Sequence, residues 1–312
     1  MASSSSLAAR LRRDAGYQLR QMKKHRKHYL FMLPFTVLFV LFVLCPVAIS
    51  IFFGFTSFNV LEPPTFVGLQ NYFRLFLHDE IFLTAIRNTL IFAVVTGPVG
   101  YALALLFAWL INELDHTLRV IFTVVFYAPS ISGGMAVIWN YLFSGDAKGL
   151  LNATLIRFGV IGDPINYLQN AAYVMPIMIL IILWMSLGTT FLSFIAGFQG
   201  IDRQYYEAGA IDGIRNRFQE LMKITLPSMG PSLMFAAVMQ ISGSFSVGMI
   251  CNALAGFPST DYCASTIVTH IMDYGNNRYE MGYACAVATV LFLMMFTMDR
   301  LVKLVLRRFS NG

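Results

Sequence analysis

The chain is 312 residues long, 57% hydrophobic and only 12% charged, with a mean hydropathy of +0.65. Soluble domains carry about 25% charged residues. No soluble core hides this much apolar surface, so water-soluble enzymes and nucleic-acid-binding modules are excluded and the solvent is a bilayer. The net charge of +6 informs only through its placement, because Lys and Arg mark cytoplasmic loops.

In chain order, residues 1–29 read as a basic tail, with Arg10, Arg12, Arg13, Arg20, Lys23, Lys24, Arg26 and Lys27 against the single acid Asp14. From His28 to Leu61 no Asp, Glu, Lys or Arg occurs, a run far longer than the 7–15 residue apolar core of a signal peptide. It predicts a first membrane helix at about 30–56. Five further stretches, near 88–111, 120–143, 171–198, 227–251 and 281–298, each approach the ~20 residues that cross a bilayer. Backbone groups in lipid must bond internally, so all six are predicted to be helices, making residues 30–312 one all-α polytopic domain. Pro34, Pro46, Pro98, Pro129 and Pro176 lie in or near them as tolerated kinks.

Counting Lys and Arg fixes the expected orientation. With the N-terminus inside, seventeen fall on inner segments and five (Arg74, Arg87, Lys148, Arg157, Arg278) on outer ones, so both termini are expected in the cytoplasm. The outer segments 57–81, 144–170 and 252–280 suit short interfacial helices, or a docking face for an external partner. Cys45, Cys251, Cys263 and Cys285 form no C-x-x-C pair, so no metal site is expected; a Cys251–Cys263 pairing stays open.

No span carries an Asp, Glu, Lys or Arg near its middle, where ion-coupled carriers keep ionisable groups. All five histidines lie in the tail or loops, and there is no G-x-x-x-x-G-K-[ST] phosphate loop. No catalytic constellation and no energy source are legible. An ion-coupled secondary carrier lacks its midplane charge, whereas a non-transporting membrane scaffold remains an alternative.

The inner loop 199–226 is unusually long. Asp202 suits a helix N-cap, residues 204–212 continue as helix, and Gly213 supplies a positive φ that ends it. A second helical piece is predicted from Arg215 to Ile224 with Phe218, Leu221, Met222 and Ile224 as its apolar face. Pro227 opens the next span at a first-turn position. Such a helix–turn–helix could lie on lipid or enter a groove on a cytoplasmic protein. The small Ala208, Gly209 and Ala210 beside Glu207 favour the groove, and four bases balancing four acids disfavour lipid.

Glu207-Ala208-Gly209, Asp212-Gly213 and Ile224-Thr225-Leu226-Pro227 resemble the EAA loop of ABC importer permeases, whose pattern is E-A-A-x-x-D-G followed by I-x-L-P. Gly209 replaces the second Ala, Ile214 replaces the usual Ala, and the stretch between D-G and L-P is one residue longer. Phe66-Val67-Gly68-Leu69-Gln70-Asn71-Tyr72 and Arg87-Asn88-Thr89-Leu90 resemble the first permease of carbohydrate importers, the maltose, glycerol-phosphate and multiple-sugar group. The resemblance implies a type I ABC importer permease fold in the bacterial cytoplasmic membrane. It implies a second permease subunit, two ATP-binding cassette subunits that bind ATP-Mg and hydrolyse it, and an extracytoplasmic solute-binding protein. Cargo would be a sugar or oligosaccharide. Glu207, Ala208, Gly209, Asp212, Gly213, Leu226 and Pro227 would form the coupling element that docks on an ATPase, and the chain itself would catalyse nothing.

Trp184 lies mid-span, where an indole N–H must find a partner or face a wet path. Gln240 lies mid-span as an amide needing several partners, close to Ser244 and Phe245. Core packing accounts for the Trp and helix packing for the serines; the resemblance instead implies that Trp184, Gln240, Ser244 and Phe245 line the substrate path. Met294, Met295 and Met298 read as packing rather than a metal path.

Overall fold

A computed structural model describes residues 26–131 and 134–310. The predicted basic tail lies outside these residues except for positions 26–29, which are already helical. Two compact units divide between Phe53 and Gly54.

The first unit is α1 (Arg26–Phe39), a π-helical turn (Val40–Leu44) and α2 (Cys45–Phe53). Pro46 cannot donate to the carbonyl of residue 42 and its ring crowds that group. The preceding turn widens, and the Cys45 N–H reaches the Val40 carbonyl instead. Near Pro34 the Thr36 hydroxyl donates to the Met32 carbonyl at 2.9 Å.

The second unit begins with a two-stranded antiparallel ribbon, β1 (Thr56–Ser57) and β2 (Thr65–Phe66), with Thr56 opposite Phe66. Then come α3 (Gln70–Leu77), α4 (Glu80–Asn112), α5 (His116–Ile131), α6 (Met135–Leu142) and α7 (Leu150–Arg157). They are followed by α8 (Ala171–Met185), α9 (Thr189–Gln199), α10 (Arg203–Ile211), α11 (Arg217–Glu220) and α12 (Leu226–Ser228). The chain closes with α13 (Gly230–Phe245), α14 (Gly248–Ala255), α15 (Ile267–Met272) and α16 (Met281–Ser310).

Among the described residues, five helical stretches are long and apolar enough to cross a membrane: Leu30–Phe53, Glu80–Asn112, Ala171–Gln199, Gly230–Ala255 and Met281–Leu304. The stretch predicted near 120–143 is not one helix. It forms α5 and α6, separated around Gly134, because Pro129 and the Gly133-Gly134 pair lie where a continuous span would need two full turns. The predicted spans at 171–198 and 227–251 also divide, at residues 186–188 and 246–247. The second span starts eight residues earlier than predicted, at Glu80, where the Asp79 carboxylate accepts the Phe82 N–H. At thirty-three residues it is about 50 Å long and overshoots a ~30 Å hydrocarbon layer.

The helices α4, α9 and α13 pack mutually. On α4 the buried stripe is largely small or polar, including Ala85, Thr89, Ala93, Thr96, Gly100, Ala104 and Ala108, which lets backbones approach closely where lipid supplies no hydrophobic drive. One apolar cluster gathers Phe92, Met178, Ile181 and Cys251; another gathers Ala104, Phe191, Phe194 and Ala236. The buried polar side chains Thr96, Thr190, Gln240 and Ser244 belong to neither cluster. Large side chains such as Leu83, Leu90, Val94 and Leu106 are exposed along the opposite side of α4.

The two carbohydrate-group motifs fold the end of the molecule away from the 199–226 loop. Gly68 has φ +61°, the left-handed region that Gly enters freely. Just beyond it, the Asn71 amide donates to the Gly54 and Thr56 carbonyls at 3.0 and 2.9 Å. The Asn88 amide donates to the carbonyls of Tyr262 and Ser265, and the Thr89 hydroxyl accepts the Ile267 N–H. These residues staple loops whose backbone groups would otherwise be orphaned.

Beside them a buried cluster joins α4, α15 and α16. One Asp79 carboxylate oxygen meets His270 Nε2 at 3.0 Å and accepts the Tyr283 hydroxyl at 2.6 Å. Arg74 pairs with Glu280 and lies over the Tyr283 ring, while Arg278 pairs with Asp273 and lies over Tyr274. Burial of the imidazole outweighs Asp79 and Asp273 and holds the His270 pKa below its ordinary 6.5. Burial alone would raise the Asp79 pKa, but hydrogen bonds from Tyr283 and the Phe82 N–H, together with His270, bring it below the ordinary 3.8. In both cases the unfolded state binds protons first on acidification, so both groups make stability fall with pH. The His270 contribution begins as pH drops through 6.5, and that of Asp79 only below 3.8. Thermal unfolding of detergent-solubilised protein between pH 7 and 5 should therefore show a falling Tm, with a shallower fall in His270→Gln. Equal slopes for the two proteins would remove His270 as the source.

Candidate functional site

A cavity of about 670 Å³ opens where the three helix breaks meet. Its wall takes Ser130 from the end of α5 and Met135 from the start of α6, Ser186, Gly188 and Thr189 from the α8–α9 break, and Ser242, Gly243, Ser244, Ser246 and Val247 from the α13–α14 break. Irregular backbone at membrane depth is tolerated where it lines such a cavity. Helix C-caps return some of the freed groups: the Ser186 N–H donates to the Ile182 carbonyl, and the Ser246 N–H to that of Gly243. At the Gly188 α-carbon a side chain would meet Ser130 Cβ at 2.8 Å, so only glycine lets α5 approach this break.

Gln240 and Ser244 line this cavity. The Gln240 amide donates to the Thr96 carbonyl at 3.0 Å and accepts the Thr190 hydroxyl at 3.1 Å, tying α13 to α4 and α9. Opposite it, a β-carbon on Gly100 would sit 2.5 Å from Gln240 Nε2, so Gly100 makes room for this clasp. Trp184 and Phe245 are not in the wall. Trp184 is 45% exposed with its indole 6.4 Å from the Phe126 ring; Phe245 is buried in the packing. Sequence reasoning did not single out Ser186, Thr189, Thr190 or the wall methionines Met135, Met185, Met239 and Met249. The small polar run Ser186-Leu187-Gly188-Thr189-Thr190 inside an apolar stretch was the available signal. Cys251 and Cys263 are both free thiols, and no His/Cys/Asp/Glu group that could hold a metal occurs among the described residues.

At the loop end, α10 begins on Asp202, whose carboxylate accepts the Gln204 N–H at 3.0 Å, and Gly213 ends the turn with φ +89°. The second piece starts later than predicted, on the N-cap Asn216, and its α-helical part is only α11. A π-helical turn, Leu221–Thr225, follows. A π turn takes up one extra residue per turn, and so absorbs the longer stretch between D-G and L-P. It also divides the predicted apolar face: Leu221 is buried and Ile224 half-buried, while Phe218 and Met222 point outward. A β-carbon on Gly209 would meet Ile224 Cδ1 at 2.5 Å, so the glycine that departs from the EAA pattern receives the Ile224 side chain.

The outer face of α10 carries Gln204, Glu207, Ala208 and Ile211, at helical spacing i, i+3, i+4 and i+7, and all four are exposed. Among the described residues Glu207 makes only an i,i+4 pair with Arg203, at 3.4 Å, worth roughly 0.3–0.5 kcal/mol on a surface. The loop's root is held more firmly. Arg217 bridges Glu220 at 2.9 Å and Glu113, the C-cap of α4, at 3.4 Å, and the Tyr206 hydroxyl meets that of Thr225 at 3.0 Å. The Glu220 hydrogen bond, reinforced by Glu113, raises the Arg217 pKa above its ordinary value. The loop is thus tied to α4 while one face of α10 faces outward.

Residues 97–311 match the family described as binding-protein-dependent transport system inner membrane component, and the chain belongs to that family. It is 30% identical over 289 residues to the probable ABC transporter permease protein YesP of Bacillus subtilis, covering 90% of this chain and 91% of the relative. It is 30% identical over 291 residues to the arabinooligosaccharides transport system permease protein AraP of the same organism, covering 92% and 90%. In fold it resembles a chain of a bacterial alginate ABC transporter, solved with a pentasaccharide-bound periplasmic protein. That likeness has a TM-score of 0.75 at 24% identity and covers 94% of this chain and 98% of the other.

Proposed function

We propose that this chain is one of two transmembrane permease subunits of a sugar ABC importer in the bacterial inner membrane. Its cavity is half of the translocation path, and α10 is its handle on an ATP-binding subunit. The observation that carries this reading is a pairing: a cavity at membrane depth lined by uncharged polar groups, and an exposed Glu207 face rooted on α4, the helix to which Gln240 ties the cavity. In this reading the broken pair α5–α6 is a sixth crossing, and both termini lie in the cytoplasm with the 199–226 loop, as the Lys/Arg asymmetry requires. Two ATPases binding ATP-Mg supply the energy. A solute-binding protein delivers cargo to the opposite end, where the stapled loops lie. Closure of the ATPases moves α10 and, through Arg217 and Glu113, rocks α4 against its neighbours. Gln240 and Ser244 touch cargo, while Phe245 packs behind the wall and Trp184 lies outside it.

The test is reconstitution in vesicles with the second permease and the ATPases. Saccharide uptake should require internal ATP and the binding protein, and should be absent with the permeases alone. ATP-independent uptake by this chain alone would overturn the proposal in favour of a secondary carrier, and no uptake by the full assembly would favour a scaffold.

A further inference from the structure

The lining of the cavity bears on what passes. Its polar groups are hydroxyls and one amide: Ser130, Ser186, Thr189, Gln240, Ser242 and Ser246 all reach the wall. Each hydroxyl both donates and accepts, as every sugar hydroxyl does. The rest of the wall is largely thioether and aliphatic, and methionine adapts its shape to an irregular apolar face. No residue of 130–136, 182–190 or 239–253 is Asp, Glu, Lys, Arg or His. A carboxylate or phosphate entering here would lose its water without meeting a cation, which makes a buried charge costly.

The helix ends do not supply the missing positive charge. The N-terminal ends of α6, α9 and α14 reach the cavity, but each faces a break whose other side is a C-terminal end, that of α5, α8 or α13. The opposed partial charges of paired ends offset one another. The resulting surface has hydrogen-bonding capacity and adaptable apolar area but no sign of charge.

We propose that this wall selects uncharged saccharides over uronic-acid and phosphorylated ones. The inference rests on the cavity being part of the path, and separates this chain from relatives with acidic cargo, such as the polygalacturonan/rhamnogalacturonan permease YteP of Bacillus subtilis or the sn-glycerol-3-phosphate permease UgpA of Yersinia enterocolitica. Direct binding to the purified permease–ATPase complex, without the solute-binding protein, removes the receptor's own selectivity. Probes are a panel of neutral di- and trisaccharides, the galacturonate trimer and glycerol 3-phosphate. Ser246 is exposed on the wall, so Ser246→Arg places a cation there without filling a packed site, with Ser246→Gln as the neutral control. At least one neutral saccharide should bind at least tenfold more tightly than either anion. Ser246→Arg should shift that ratio at least tenfold towards the galacturonate trimer, and Ser246→Gln should leave it within about threefold. Equal or preferred binding of the anions by the unaltered complex would overturn the charge inference and leave the permease reading standing. Binding of no saccharide by a complex that still carries another solute under ATP would overturn both.

Discussion

Glu207→Arg should abolish ATP-driven uptake while leaving the protein inserted and associated with the second permease. The separation is expected because Glu207 does almost nothing for the fold. Its side chain is 67% exposed, and among the described residues it pairs only with Arg203, itself 90% exposed. Reversing it removes a weak surface pair. At a docked interface the same change sets a cation where a carboxylate was matched, and like-charge juxtaposition costs several kcal/mol; every 1.4 kcal/mol is tenfold. Uptake should fall at least a hundredfold, and ATPase subunits should no longer co-purify with the permease pair. Arg203→Ala, which removes the same intrahelical pair, should transport nearly normally. Unchanged uptake by Glu207→Arg would count heavily against a coupling role for this face of α10.

The loop was legible because its signals are local. Asp202 as cap, Gly213 as the positive-φ stop and the small residues around Gly209 act within a turn or two of one another, and the structure places each as its chemistry requires. The π turn at Leu221–Thr225 was not legible, because an extra residue in a short stretch looks the same whether it lengthens a loop or widens a helix. Apolar length located five spans among the described residues but hid the breaks around Gly134 and at 186–188 and 246–247, since hydropathy averages over the few small or polar residues there. Those breaks build the cavity. Gln240 stood out because a long amide in an apolar helix has to be satisfied, yet its partners Thr96 and Thr190 lie on two other helices. The Asp79–His270–Tyr283 cluster was beyond reach: its members are 191 and 204 residues apart along the chain, and only packing brings them together.

The largest folding defect is expected from Gly282→Val. Gly282 lies in the first turn of α16, where its N–H donates to the Phe58 carbonyl at 3.0 Å. A β-carbon there would fall 2.1 Å from the Thr56 carbonyl oxygen and 3.0 Å from the Phe58 nitrogen. Both obstacles are backbone, so no rotamer change relieves the clash. The Thr56 carbonyl is also fixed from the other side, because it accepts the Asn71 amide at 2.9 Å. Either β1 or the start of α16 must move, and any such shift strains the Asn71 bonds and the Tyr283–Asp79 contact one residue further on. Overpacking costs about 1–3 kcal/mol, and each buried polar group left without a partner adds about 1–3 kcal/mol. The total of roughly 3 kcal/mol or more corresponds to a Tm lower by about 6–12 °C. Gly243→Ala is the contrasting case: nothing lies within 4 Å of its β-carbon, and alanine is the better helix former by about 1 kcal/mol, so its Tm should hold or rise. A Gly282→Val protein that melts with the unaltered chain would mean that α16 and the β1 ribbon do not meet backbone to backbone, and the stapled end would then be far more compliant than these contacts require.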